Sequence, residues 1–403
     1  MPAKRMQFLI VRLTVKNACL MVLWVSPLLI STALAQYDGA YPFSTPVDPR
    51  SVAMGESFVA VSSNAAALTF NPAGLAGLEG MTLSYARKSM DWFAKDLSIA
   101  SVTATAQTPF GVFGAQYNRM SFGSTAVTTV QFPDGTGGEI TWYSYNLALG
   151  YAYRLPMGLA LGASMKYYDF VQDYSGPPQF AIPQMTTTPS YLFDFGLTYT
   201  LPRLHSQTSV EDSLTVGLAY QNMGTRWKYS MPTSSYLYPG DVSTEYVVLP
   251  EYFRIGFSYA MNLRAPVEGS LSPFGAAITG EFRTLLSPLP TSYVQDPYAP
   301  PYPETSYWGI GLDLTVYEIF SVRGGAAFKA NPTFGEGERD KASFRYGAGI
   351  RLPFRRIGVD VPLTFSFQYA VIPVTEEGYF DVPDRTGTYP LFSLEVQYEG
   401  VPW

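Results

Sequence analysis

Few residues in this chain are suited to covalent or metal chemistry. The single histidine, His205, stands near Arg203 in a segment that reads as a turn, where a histidine is ordinarily solvated. The single cysteine, Cys19, lies in an N-terminal apolar run. A zinc site of the usual nitrogen and sulfur kind therefore lacks its ligands. A Ser-His-Asp relay would have to use His205, and no G-x-S-x-G elbow accompanies it. Asp134-Gly-Thr-Gly-Gly-Glu139 brings two carboxylates into a glycine-rich loop, but not at EF-hand spacing, and it reads as a turn. No catalytic residue, metal or cofactor is expected.

What remains is a set of charges embedded in β-patterned stretches: Lys166, Asp194, Arg254, Glu281, Asp313, Arg323, Arg345 and Arg351. Each falls on the polar side of an alternating segment. On a lipid-facing surface an Arg or Lys would cost about 2–4 kcal/mol at mid-membrane, so these residues are expected to face a lumen. Two roles are open to them. They form a salt-bridge network that holds an internal plug, or Arg254, Arg323 or Arg345 meets the carboxylate of a lipid-like substrate.

The elements that must position these charges are strands. Period-two alternation predicts fourteen, near 80–88, 96–108, 111–121, 139–154, 158–172, 190–200, 213–222, 250–263, 272–286, 306–316, 319–330, 341–352, 361–372 and 389–399. In one, Tyr143, Tyr145, Leu147, Leu149, Tyr151 and Tyr153 alternate with Ser144, Asn146, Ala148, Gly150 and Ala152. Alternation alone leaves open which face is inside. Connections alternate between short links, such as Pro109-Phe110 and Tyr317-Glu318, and long ones, such as 122–138 and 223–249. That alternation suits a membrane barrel with both termini on the inner side and its long loops outside. The Tyr- and Pro-rich stretch 287–303 is one such loop, read as a cover for the barrel mouth or as a contact surface. Leu391 to Tyr398 forms a last aromatic strand, whose pairing should stop before Pro402.

Composition gives the address. Lys4, Arg5, Arg12 and Lys16, the apolar run Ala18 to Ile30, and Ala33-Leu34-Ala35 read as a cleavable signal peptide over residues 1–35. Its removal leaves 22 basic against 32 acidic residues and no cysteine, which argues against disulfides and against nucleic acid as a partner. Charged residues are only 14% while aromatics reach 15%, with 30 Tyr, and no later run approaches the length of a transmembrane helix. A secreted soluble β-protein is the alternative. The aromatic load favours an outer-membrane barrel in contact with lipid.

Residues 36–79 carry no such alternation. Ser51 to Ala76 is rich in small residues and includes Asn71-Pro72-Ala73-Gly74, where Asn71 is suited to cap and Pro72 to start a short helical turn. Short helices are expected near 62–69 and 72–78. With the barrel assigned to 80–403, this segment is expected to plug it.

The run Ala53-Met-Gly-Glu-Ser-Phe-Val-Ala-Val61, then Asn64-Ala-Ala-Ala-Leu68 and Asn71-Pro-Ala-Gly-Leu75, resembles the N-terminal signature of FadL-type outer-membrane barrels. Val216 to Gly224 and Leu249 to Tyr259 resemble the PorV/PorQ-like (UPF0164-like) branch of that superfamily. The resemblance implies an all-β transmembrane barrel with passive transport of hydrophobic, long-chain fatty-acid-like molecules as its function. A hydrophobic or detergent-like ligand is then its partner. For the PorV-like branch it implies instead a protein-binding component of a type IX-like secretion or surface-attachment system, with secretion-system proteins as partners.

Overall fold

The computed structural model describes residues 46–61, 64–89, 96–128, 131–178, 185–202, 209–232, 242–247, 249–265, 267, 269–286, 306–329, 343–376 and 385–400. The expected signal peptide 1–35 with Cys19, residues 36–45 of the expected plug, His205, the loop 287–303 and Pro402-Trp403 lie outside the described residues.

The described strands are β1 (Met81–Ser89), β2 (Leu97–Thr108), β3 (Gly111–Ala126), β4 (Glu139–Arg154), β5 (Leu159–Ser175), β6 (Thr186–Thr188), β7 (Ser190–Pro202), β8 (Val210–Gly224), β9 (Trp227–Pro232), β10 (Val242–Val247), β11 (Tyr252–Leu263), β12 (Phe274–Leu285), β13 (Ser306–Val316), β14 (Phe320–Lys329), β15 (Ser343–Pro353), β16 (Leu363–Glu376) and β17 (Arg385–Tyr398). All but β6, β9 and β10 form one closed antiparallel barrel of fourteen strands. It closes where β1 pairs with β17, from Met81 opposite Tyr398 to Lys88 opposite Leu391. These are the fourteen strands that the alternation predicts, and several run longer, as at Val210–Gly224 and Arg385–Tyr398. The start of β1 and the end of β17 share one end, that of the short links. β17 stops at Tyr398, short of Pro402.

The other three strands form a small sheet in the order β10, β9, β6. It is built from two long outer links that the sequence leaves as loops. Strands of three to six residues are too short for a period of two to stand out.

Burial settles which face is inside. On β4, Leu147, Leu149, Tyr151 and Tyr153 are exposed while Ser144, Asn146, Ala148 and Ala152 are buried. On β13, Trp308, Ile310, Leu312 and Leu314 point out and Asp313 points in. Apolar residues thus coat the outside, as in a membrane barrel and unlike a soluble one. Outward tyrosines bound the band. Tyr117, Tyr145, Tyr167 and Tyr191 run across four neighbouring strands with ring centroids 6.2, 6.1 and 5.6 Å apart. From Tyr191 to Tyr199 on β7 the chain rises about 26 Å along the tilted strand.

Residues 46–61 and 64–79 lie against the inner wall as a hatch. It begins with α1 (Pro49–Ala53), which the sequence reading misses although its start is marked. Asp48 accepts from Ser51 N at 2.7 Å and Pro49 occupies the first turn. It continues through α2 (Ala67–Phe70) and a 3₁₀ turn (Pro72–Gly77). Val52, Met54, Phe58, Leu68 and Leu75 have no exposure at all.

The wall makes room for this chain with glycines. A Cβ on Gly162 would come 2.3 Å from Ala73 N, one on Gly217 2.3 Å from Val59 O, and one on Gly325 2.4 Å from Gly55 N. Those positions lie on β5, β8 and β14, so the hatch touches glycine on widely separated strands. Replacing Gly162 by Ala should leave an inserted, heat-modifiable barrel but lift the hatch, read as raised ion conductance in planar bilayers. Gly324→Ala, whose Cβ would meet nothing nearer than 4.0 Å, should match the parent in both.

Candidate functional site

The hatch backbone lacks a regular ladder, so its polar groups need partners from elsewhere. Asn71 shows how the lumen supplies them. It is 1% exposed, and its Oδ1 accepts from Ala73 N at 3.1 Å, capping the 3₁₀ turn. Its Nδ2 donates to Val59 O at 2.7 Å and to Leu197 O on β7 at 3.2 Å. One amide therefore ties two hatch segments to the wall. Pro72, Ala73 and Gly74 follow in the turn, all buried, with Pro72 and Ala73 against Gly162.

The charges form the second set of ties. Glu281 accepts from the N–H groups of Phe58 at 2.7 Å and Val59 at 2.8 Å, and Arg254 pairs with its other oxygen at 2.7 Å. Arg254 also donates to Gln221, whose Nε2 donates to Thr69 O at 2.6 Å. Arg323 and Arg50 of the hatch each reach Asp313 at 3.1 Å, and Arg323 also donates to Gln368. Arg345 pairs with Glu56, a hatch residue that Arg283 also reaches, at 3.1 Å. Arg254, Arg323 and Arg345 are thus each placed against a carboxylate, and each of those carboxylates belongs to the hatch or bonds to it. Arg283 and Gln221 were not singled out from the sequence. Arg283 sits on the polar side of its strand, beside Glu281, and that pattern is the signal that marks it.

Glu56 occupies a strained turn, with positive φ at both Gly55 (67°) and Glu56 (60°). Burial alone would raise its carboxyl, but Arg345 and Arg283 outweigh it and hold the group down at about 2.

A third cluster sits in the wall. Asp194 on β7 pairs with Lys166 at 2.6 Å and accepts from Asn222 N at 2.8 Å, where the β7–β8 register shifts between Phe193 and Phe195. Asn222 has a φ of 60°, and a carboxylate here stands in for a ladder bond. Its Nδ2 donates to Pro250 O at 2.7 Å.

Between the hatch and β1 to β3 lies a cavity of about 30 Å³, lined by Asn64, Thr69, Ser84, Ser101, Thr103, Gln116 and Asn118 among others. It has room for roughly one or two waters. Toward the outer end the lining changes character. Leu97, Ile99 and Met120 form one buried apolar patch with Phe122 and Tyr389, and Tyr168, Leu192, Trp227 and Leu249 form another with Phe170. Phe122 and Phe170 join them at 5.5 Å between centroids. The Asp134 to Glu139 stretch forms a turn in the β3–β4 link, where Thr136 N donates to Val127 O at 2.9 Å. Among the described residues no three His, Cys, Asp or Glu side chains gather as a metal site.

A family model described as "Uncharacterised protein family (UPF0164)" matches residues 35–267. No curated protein matches the chain. Among solved structures it is similar to a Pseudomonas aeruginosa FadL homologue, at 14% identity and a TM-score of 0.46, covering 88% of this chain and 99% of that one. It is similar also to the Pseudomonas putida toluene transporter TodX, at 11% identity and a TM-score of 0.43, covering 92% and 100% of the two chains. The Ralstonia pickettii toluene transporter TbuX matches at 12% identity and a TM-score of 0.42, covering 87% and 98%.

Two variants test the hatch ties. Breaking a buried ion pair costs about 3–5 kcal/mol, so Glu56→Gln should insert normally and conduct at neutral pH. In the parent, Glu56's contribution is full above its ordinary value of 4.5 and fades as pH falls through about 2, so its conductance should stay low at pH 5. Asn71→Ala loses a cap, about 0.5–2 kcal/mol, and orphans buried acceptors at about 1–3 kcal/mol. It should likewise insert and leak, and leakage should rise further in Asn71→Ala/Pro72→Gly. Bilayer conductance and heat-shifted gel mobility on the same samples check both.

Proposed function

This chain belongs to the uncharacterised protein family UPF0164, and from that premise we propose that it carries hydrophobic small molecules passively across the outer membrane. One observation carries the reading. Membrane-barrel lumens are ordinarily polar, whereas the outer half of this one is lined with Leu97, Ile99, Met120, Phe122, Phe170, Leu192 and Trp227. An apolar layer over a hatch held by polar ties suits an apolar guest better than a hydrated ion. Glycine, amide and charged side chains of the wall hold the hatch below it, so cargo passing this layer next meets the hatch rather than an open pore. A long-chain fatty-acid-like molecule matches both the apolar layer and the cations beneath it.

In this reading the signal peptide 1–35 delivers the chain to the outer membrane, residues 36–79 act as a plug domain, and 80–403 form the barrel. Asn71-Pro72-Ala73-Gly74 is the plug's fastening motif. Arg254, Arg323 and Arg345 serve first as hatch anchors, and they contact cargo when the hatch shifts.

A second reading, a PorV-like protein-binding role, is favoured by the small outer sheet. Among the described strands β10 pairs with β9 alone, which leaves an edge to which an extended segment of a secreted protein can add.

Uptake of a radiolabelled long-chain fatty acid by cells expressing the barrel tests the first reading. The parent should raise uptake several-fold over vector, and Met120→Lys, which puts a charge in the apolar layer, should remove most of the gain while the barrel stays inserted. Vector-level uptake with an inserted barrel overturns the reading. A protein recovered in equal amount with the barrel from mild detergent supports the second one.

A further inference from the structure

Three cations converge on the outer side of the hatch, against one carboxylate. Arg283 and Arg345 hold the two oxygens of Glu56. Lys88 on β1 lies within electrostatic range of both Glu56 and Arg345. It is 5% exposed and makes no hydrogen bond or ion pair among the described residues; its ammonium stands 5.0 Å from the centre of the Tyr389 ring. Arg283 is 7% exposed, and its Nε is buried without a hydrogen-bond partner. The rings of Tyr252 and Tyr307 lie 5.3 and 4.5 Å from its guanidinium. The neighbouring carboxylate, Glu281, is already committed to Arg254 and to two hatch N–H groups.

Three positive charges against one negative leave an excess of two where little water reaches. A buried ammonium without an anion is costly, and a single aromatic ring offsets only part of that. Among the described residues this cluster has no second anion, and an anionic ligand would supply one.

We propose that Lys88, Arg283 and Arg345 bind the phosphate monoester head of an amphiphile, with its hydrocarbon tail against Leu97, Ile99, Met120 and Phe122. The charge selects the head group. A phosphate monoester carries about −1.5 to −2 at pH 7 and matches the excess, whereas a carboxylate leaves one cation unanswered. Guanidinium forks suit phosphate oxygens, and a lysine serves as the point charge between them. Strand register places the tail. Lys88 stands opposite Ile99, Ile99 opposite Met120, and Leu97 opposite Phe122, so the apolar wall begins beside the ammonium. This inference rests on the proposed passage of hydrophobic molecules and adds that amphiphiles with a dianionic head are the most tightly bound of them.

The test is a native mass spectrometry titration of the full barrel in dodecyl maltoside at pH 7.5. The probes are dodecyl phosphate, laurate and inorganic phosphate, against the parent and Lys88→Met. Lys88 takes no part in the Glu56 tie, so its replacement leaves that tie in place, and Lys88→Gln is the second variant should the first fail to fold. The parent should bind dodecyl phosphate at least tenfold more tightly than laurate or inorganic phosphate, and the Lys88 variant should lose at least tenfold of that affinity. Laurate binding as tightly as dodecyl phosphate, or an unchanged affinity in the variant, overturns the proposal. Inorganic phosphate binding as tightly as dodecyl phosphate overturns the assignment to an amphiphile. Fatty-acid uptake by the parent reads the passage proposal separately, so normal uptake without phosphate selectivity sinks this inference alone.

Discussion

A backbone N–H or C=O left unpaired in hydrocarbon costs several kcal/mol, and that cost shapes this protein at every level. It forces the strands to close, with β1 on β17, so that no edge meets lipid. It then recurs inside. The hatch, which has only short helical turns, carries backbone groups that no ladder satisfies. Much of the polar lumen chemistry answers them: Glu281 takes the N–H groups of Phe58 and Val59, and Gln221 donates to Thr69 O. At the inner end Gln107 accepts from Gly80 N and Gln397 donates to Glu79 O. Side chains that look like a binding site are, in large part, the missing half of a secondary structure.

Once the hatch is seated, the lumen divides by depth. Where hatch backbone meets wall backbone the wall is glycine, because a single Cβ would overlap it. Ion pairs lie among those contacts, with Asp313 beside Gly311 on β13 and Arg323 two residues from Gly325 on β14. The outer layer is apolar and aromatic. The contacts are cooperative in a simple sense: glycine permits the approach, the amides and carboxylates hold it, and the apolar outer layer rests on what they hold. The β7–β8 irregularity departs from this order, since Asp194 repairs the ladder with a side chain where Asn222 adopts a left-handed conformation.

Cation placement links packing to function. Arg254, Arg323 and Arg345 have carboxylate partners in the closed state, while Lys88 has none among the described residues. Anchoring and recognition thus share residues: Arg283 and Arg345 hold Glu56 and belong to the proposed head-group site, while Lys88 takes no part in that tie.

The sequence alone determined the strands. Alternation over nine or more residues leaves one solution, and the fourteen segments it marks are the fourteen that close, because lipid and lumen enforce that period on every strand. The Asn71-Pro72 signal also stood in the sequence, since capping is a local interaction. The tertiary structure decided what local pattern cannot. It settled which face is inside, a matter of solvent rather than of order along the chain. It brought Glu56 to Arg283 and Arg345, more than 220 residues away, and left Lys88 without an ion pair among the described residues. It also joined β6, β9 and β10 into a sheet too short to show a period. Each of these depends on contacts between distant segments, and closure of the barrel is what brings those segments together.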